Sequence, residues 1–366
     1  MKAARYPVLD INLDKIHENA KVIVELCEKK GIYVTGVFKG AGGMLSVAEE
    51  MLSAGCRQIA SSRVKQLTDI KKHHEECETM LLRLPMQCEI PDVVRYADIS
   101  LNSELNIIEA IEKECREQNR KHKVVLMLDL GDLREGFMSQ EELIDTAVHI
   151  EADMKYVKLA GIGTNLGCYG SVKPTEDNLK QLAEAADKTE EQIGRRLEIV
   201  SGGATTSLPL VVEGKIPSKI NNLRIGEGIL NNMDLPMLWN INIQGMNQDT
   251  FLFTAQIIEL KEKPSYPIGE LFVDAFGYTP HYKDMGIRKR ALIAAGAQDF
   301  GMYDKLIPID GDIKLIGSSS DHLIADITDS KKDYKVGDTI SFKLFYGPML
   351  FLCCSEYVRK RIVTEV

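Results

Sequence analysis

No run of apolar residues in this chain comes near the ~20 that a membrane helix needs. The start, Met1-Lys2-Ala3-Ala4-Arg5, leads straight into strand-like sequence without the apolar core of a signal peptide. The expectation is a cytoplasmic protein with no membrane partner. Cys-x-x-Cys pairs and Cys/His groupings at metal-ligand spacing are also missing. The 8 cysteines (Cys27, Cys56, Cys77, Cys88, Cys115, Cys168, Cys353, Cys354) are scattered, which reads as reduced, mostly buried thiols and no metal site. Basic clusters are scarce in a chain of net charge −9, and the one dense run, Arg359-Lys360-Arg361, reads as solvated surface. Nucleic acid, which wants a clustered basic face, is not an expected partner. Low-complexity tracts and long flexible linkers are absent too.

What is present is enough apolar sequence, 44% of 366 residues, to bury the core of one large domain and a smaller one. Short apolar runs predict strands over Tyr33–Lys39, Gln58–Ser62, Thr79–Pro85, Ile99–Asn102, Lys123–Leu130, Val157–Thr164, Leu197–Gly202 and Asn222–Gly226. Between them, apolar residues three and four apart predict helices such as Glu104–Gln118, Glu141–Glu151 and Asn178–Ile193. Eight nearly even β-then-α units, with no Gly-x-Gly-x-x-Gly after the first strand, favour a closed TIM (β/α)8 barrel over an open doubly wound sheet. After about Gln244 the helical period gives way to β-type runs at Thr250–Ile258, Glu270–Phe276, Asp312–Ile316, Leu323–Ile327, Thr339–Phe345 and Met349–Cys354. The expected organisation is therefore a barrel over residues 1–243 and a smaller C-terminal all-β domain over 244–366. The strand-like start Pro7–Leu13 is a candidate to join the second domain.

In such a barrel the chemistry sits where strands end. Those ends carry Lys39, Arg83, Asn102, Asp129 followed by Arg134, Thr164-Asn165, Ser201-Gly202-Gly203-Ala204-Thr205-Thr206 and Arg224-Ile225-Gly226-Glu227-Gly228. Backbone N–H groups around the glycines, with the Thr205 and Thr206 hydroxyls, suit a phosphate at the last two barrel strands. The glycines can equally serve turns alone, and a lone strand-end lysine can be an ion-pair partner. Together, a lysine and a phosphate nest in one mouth point to pyridoxal phosphate held as a Schiff base, because a desolvated lysine loses its proton more easily.

Val37-Phe38-Lys39, Leu223-Arg224-Ile225-Gly226 and the β-rich tail together resemble the alanine racemase family, pyridoxal 5'-phosphate enzymes of fold type III, over essentially the whole chain. The resemblance implies that Lys39 is the cofactor lysine and that Arg224 faces the pyridine nitrogen. A guanidinium only donates, so it keeps that nitrogen unprotonated and the ring a weaker electron sink. Thr205 falls where the family has a phosphate-binding serine, and Gly226 with Glu227 where backbone amides reach the same group. Asn165 stands in place of the family's histidine, and Met127 in place of a lysine often carbamylated. Arg134 is a candidate for the substrate carboxylate or for orienting the second acid/base.

Racemisation needs one proton-transferring group on each face of Cα. By the resemblance, the second is a tyrosine that enters the partner subunit's mouth in a homodimer. Tyr278 in Gly277-Tyr278-Thr279 is the best match, with Tyr282 or His281 as substitutes, and Asp321 resembles an aspartate near it. With a reference pKa of about 10, such a tyrosine needs nearby cations. The small run Gly40-Ala41-Gly42-Gly43 and Met349, where the family has aromatic residues, imply a roomier mouth and a substrate longer than alanine, such as ornithine. Asp132, Glu135, Glu227 and Asp321 are candidate acceptors for its distal ammonium. The alternatives are aldol cleavage or decarboxylation on the same scaffold, or a non-catalytic pyridoxal phosphate carrier.

Overall fold

The protein is seen in a computed structural model that describes residues 5–364. The Met1–Ala4 part of the start read above, and the outer ends of both expected domains, lie outside those residues. The chain divides into two compact units, Ile16–Met246 and Met1–Lys15 with Asn247–Val366. The first strand, β1 (Val8–Asn12), belongs to the second of these.

The next eight strands are β2 (Tyr33–Val37), β3 (Gln58–Ser61), β4 (Thr79–Leu81), β5 (Ile99–Asn102), β6 (His122–Met127), β7 (Val157–Gly163), β8 (Ile199–Ser201) and β9 (Asn222–Ile225). They pair in parallel, in sequence order, and close as β9 returns to β2 with Thr35 opposite Arg224. The TIM barrel is thus present, with every expected strand found within a few residues. Parallel strands covered on both faces read as continuous apolar runs, and alternation then sorts their side chains. In β6, Val125 and Met127 join Val37, Ala60, Met80, Ile99 and Leu101 inside the barrel. Val124 and Leu126 pack outward with Leu143, Ala147, Ile150 and Leu182 of the covering helices.

Those helices begin where side chains satisfy the first free N–H groups. Ser139 accepts from Glu142 N ahead of helix Gln140–Asp153, and Thr175 exchanges reciprocal bonds with Asn178 ahead of helix Glu176–Ile193. The second of these stops at Gly194 in the left-handed region, φ 71°. Among the described residues no helix is long and apolar enough to cross a membrane.

The other unit is an antiparallel sheet of β10 (Phe251–Pro264), β11 (Ile287–Ile293), β12 (Leu306–Pro308), β13 (Lys314–Ser318), β14 (Leu323–Asp326) and β15 (Thr339–Leu344), in the order β12-β15-β10-β11-β14-β13. β1 does join it, antiparallel to β10 and parallel to β16 (Arg359–Val363). The basic run Arg359-Lys360-Arg361 therefore forms a strand. Its arginines are exposed as expected, and Arg361 forks onto Asp10, with Nη2 2.7 Å from Oδ2.

Two expected strands are not there. Met349–Cys354 lies in the helix Tyr346–Cys354, whose buried Pro348, Met349, Leu352 and Cys353 follow helical spacing. A six-residue apolar run does not by itself distinguish the two structures. Glu270–Phe276 lies in the loop between β10 and β11, where its apolar residues face solvent and pair with no strand. The strand beside that loop, β11, escaped notice because its first half is Ile287-Arg288-Lys289-Arg290.

Candidate active site

Where β2 ends, Phe38 is fully buried and the chain turns over Lys39–Ala41. The burial of Phe38 anchors this turn, so Lys39 starts from a fixed backbone at the barrel mouth. Its amine is half-buried, and among the described residues no hydrogen bond or ion pair holds Nζ. Burial is the main force lowering its pKa from the usual lysine value. Arg134 and Arg224 push the same way, while Cys168 and Glu135 oppose them. A lysine so placed carries more of the neutral, nucleophilic form near neutrality.

Arg224, 4% exposed, extends inward from β9. Nη2 donates to Thr164 O at 2.8 Å and Nη1 donates to Ser201 Oγ. Burial draws its pKa down to about 10, so it remains a cation at neutral pH. Arg134, on the loop after β6, forks onto Glu135, with Nη2 2.5 Å from Oε1. Glu135 raises its pKa further. Met127, at the end of β6, is fully buried among apolar side chains.

The ends of β8 and β9 form a ring of backbone donors. Gly203 takes a positive φ of 109°, and Ser207 Oγ donates to Gly202 O at 2.7 Å. No partner within the described residues takes the N–H groups of Gly203, Ala204, Thr205, Gly226 or Glu227. A Cβ on Gly226 would sit 3.2 Å from both Cβ and O of Val37, so glycine is what lets the end of β9 close against β2. The hydroxyls expected to bind phosphate are already engaged. Thr205 Oγ1 accepts from Gly228 N at 3.1 Å, and Thr206 Oγ1 donates to Leu166 O at 2.8 Å. Thr205 therefore retains a free O–H donor, whereas Thr206 serves to fasten the β7 loop.

The structure corrects two of the acids suggested for a distal ammonium. Glu227 is buried and its Oε1 accepts from Met233 N at 2.6 Å and Asp234 N at 2.9 Å. Burial first, then Asp234, pushes this carboxyl up from the usual carboxylate range, and the two backbone bonds make its side chain a brace for its own turn. Asp132 is buried as well and accepts from Gly167, Tyr169 and Val172 N at 3.0–3.3 Å. Its charge is spent on shaping the loop after β7. Asn165, at the start of that loop, has a buried Nδ2 with no partner, a donor waiting for an acceptor.

Cys168 went unremarked in the sequence as a site residue. It is exposed on the same loop and within electrostatic reach of Lys39, Arg134 and Arg224. Its place three residues after Asn165 was the available signal. Five of the other seven thiols are buried, which fits the expectation of mostly buried cysteines. Thus Lys39, Arg134, Glu135, Cys168 and Arg224 gather in the barrel unit.

Tyr278 and Asp321 belong to the other unit. Tyr278 stands 71% exposed in the β10–β11 loop, its N–H donating to Asp274 Oδ1 at 2.9 Å. His281 and Tyr282 are exposed in the same loop, Tyr282 edge-on to Tyr266. Asp321 accepts from Gln298 Nε2 at 2.7 Å and from Ser320 Oγ at 2.8 Å.

Residues 11–230 match the family model described as alanine racemase, N-terminal domain. The chain belongs to the alanine racemase family. Relatives in that family include an ornithine racemase of Acetoanaerobium sticklandii, 44% identical over 98% of this chain and 100% of the relative. A lysine racemase of Thermotoga maritima is 39% identical over 97% of this chain and 98% of the relative. Among solved structures, an alanine racemase of Clostridium difficile 630 superposes with a TM-score of 0.72, covering 99% of this chain and 97% of that one at 17% identity.

Enzymes of the alanine racemase family depend on pyridoxal phosphate, and the residues present fit it. The unpartnered amides around Gly203 and Gly226 suit the phosphate, the unpartnered Nδ2 of Asn165 suits a ring oxygen, and the unpaired Lys39 amine suits the aldehyde.

Proposed function

We propose that the protein is a pyridoxal phosphate-dependent racemase of a basic amino acid, ornithine or lysine, working as a homodimer with Lys39 and Tyr278 as its two proton-transfer groups. The observation that carries the reading is the Lys39 amine, unpaired, half-buried and held below its usual pKa beside two guanidinium groups and a ring of free backbone donors. The relatives named for ornithine and lysine support a substrate with a distal amine.

In this reading Lys39, Arg224, Thr205, Gly226, Glu227 and Asn165 hold the cofactor, Glu227 through its backbone. Thr206 contributes by fixing the β7 loop. Pyridoxal phosphate, when bound, supplies the electron sink that makes the Cα proton of an amino acid removable. Lys39 Nζ then takes or returns that proton on one face, and its depressed basicity keeps it able to do both near neutrality. Arg224 presents donors only, so the ring nitrogen it faces stays unprotonated and deep delocalisation leading to side reactions is disfavoured.

Arg134 orients the substrate carboxylate and lowers the cost of a tyrosinate nearby. Tyr278 of a second copy serves the opposite face, and Asp321 helps set that tyrosine's surroundings. The test is incubation of the pure protein with single L-amino acids in deuterium oxide. Both enantiomers should appear for ornithine or lysine, with deuterium at Cα. Carbon dioxide or aldehyde release without interconversion would replace racemisation by decarboxylation or aldol cleavage.

A further inference from the structure

Arg224 is the first member of a hydrogen-bonded chain that runs down the barrel interior. Its Nη1 donates to Ser201 Oγ, and Ser201 Oγ donates to Asn222 Oδ1 at 2.5 Å. Asn222 Nδ2 donates to Thr35 Oγ1 at 2.8 Å, and also lies 3.5 Å from Tyr33 O. Thr35 Oγ1 donates to Gln58 Oε1 at 2.8 Å, and Gln58 Nε2 donates to Glu78 Oε2. Glu78 then meets Lys123 Nζ at 2.9 Å, at the strand-start end of the barrel. Ser201, Asn222 and Thr35 are fully buried and Gln58 is 2% exposed. Bulk water therefore does not reach these links.

Every link points the same way, and the two ends require it. A guanidinium can only donate and a carboxylate can only accept. Glu78 draws the N–H of Gln58, which turns the Gln58 carbonyl toward Thr35. The Thr35 hydroxyl must then donate to Gln58 and offer its lone pair to Asn222. Asn222 consequently presents its carbonyl to Ser201, and Ser201 is left with a lone pair facing Arg224. Reversing any one link would set two donors or two acceptors against each other in a buried space, at the cost of an unmade bond.

We propose that Thr35 and Gln58, whose side chains make no hydrogen bond to Arg224, are positioning residues that lock Ser201 as an acceptor and so fix the plane of the Arg224 guanidinium. What Arg224 faces rests on the function proposed above; the relay itself does not. Lys39 follows directly from β2, the strand that carries Thr35, so the same element sets the amine and the guanidinium.

The experiment compares Thr35→Val, which keeps the shape and removes the hydroxyl, with Thr35→Ser, which restores it. Ser100→Ala is the control, because it cuts separate buried bonds, to His122 Nε2 at 2.7 Å and from Asn102 Nδ2 at 2.9 Å. Each protein is prepared without cofactor, and exchange of the Arg224 guanidinium protons with water is followed by NMR alongside the thermal midpoint. Loosening the Arg224–Ser201 bond by about the net worth of one hydrogen bond predicts about tenfold faster exchange in Thr35→Val. Thr35→Ser should stay near wild type, and Ser100→Ala should melt earlier with Arg224 unchanged.

A Thr35→Val protein that melts earlier while Arg224 exchanges at the wild-type rate would leave Thr35 only a packing role and overturn the proposal. If Thr35→Val does not fold, Gln58→Met is judged by the same two outcomes. A wild-type protein that takes up no reducible pyridoxal phosphate would sink the proposed function, yet exchange at Arg224 would still decide the relay.

Discussion

The barrel mouth and the β10–β11 loop are built on opposite plans. Around Lys39 each functional group is set by buried neighbours: Arg224 by Ser201 and Thr164, the β7 loop by Asp132 and Thr206, the last turn by Glu227. In the loop, Ile268 is 92%, Phe272 82% and Tyr278 71% exposed, and the internal braces are a turn around Asp274 and the Ser265–Asp284 contact at the loop's base. An apolar, aromatic-rich segment left this open on its own chain is what a shared site would look like from one side. In the function proposed above, the half of the chemistry assigned to the cofactor would be preorganised by one chain, and the half assigned to Tyr278 would be ordered by the surface of a second copy.

The comparison can be broken at its rigid end first. Lys39→Ala should abolish the cofactor's covalent hold and racemisation together, by ~10³-fold or more, read from activity and from the loss of yellow colour. At the open end, Tyr278→Phe should keep the colour and lose ~10²–10⁴-fold in at least one direction. Normal racemisation by that variant would move the role to Tyr282 or His281.

Phe272→Asp tests whether the loop needs a second copy. It should weaken association about tenfold in sedimentation while the full chain's binding of inorganic phosphate is unaffected, since an aromatic side chain that is exposed on its own chain and would be covered by a second copy gives way to a charge. An unchanged oligomeric state would remove the loop from the interface.

The smallest effect concerns stability. Lys39 has a lowered pKa, so its burial penalises the protonated form. That penalty is full below the lowered folded-state pKa and is relieved as pH rises from there towards the unfolded lysine value. Lys39→Met should therefore raise the melting midpoint of the cofactor-free protein by about 2 °C where Lys39 is protonated, with the gain shrinking as pH rises and gone above pH ~10. A gain independent of pH would point to packing instead.

The barrel was legible because eight apolar runs recur with helical stretches between them, and Lys39 because it sits where the first run stops. The helix over Tyr346–Cys354 was not, since an unbroken apolar run fits either period. Nor were the fates of Glu227 and Asp132 legible. Both look like free acids in sequence, and only the folded loops bring backbone N–H groups to them. The relay from Arg224 to Glu78 joins residues up to 187 apart in sequence through Asn222 and Thr35, and depends on the register of β2 against β9. Local pattern carries no record of that register.

The account stands on one covalent position. Borohydride reduction of the protein loaded with pyridoxal phosphate, followed by peptide mapping, should place a single pyridoxyl label on Lys39. A label on another side chain, or none at all, would contradict it.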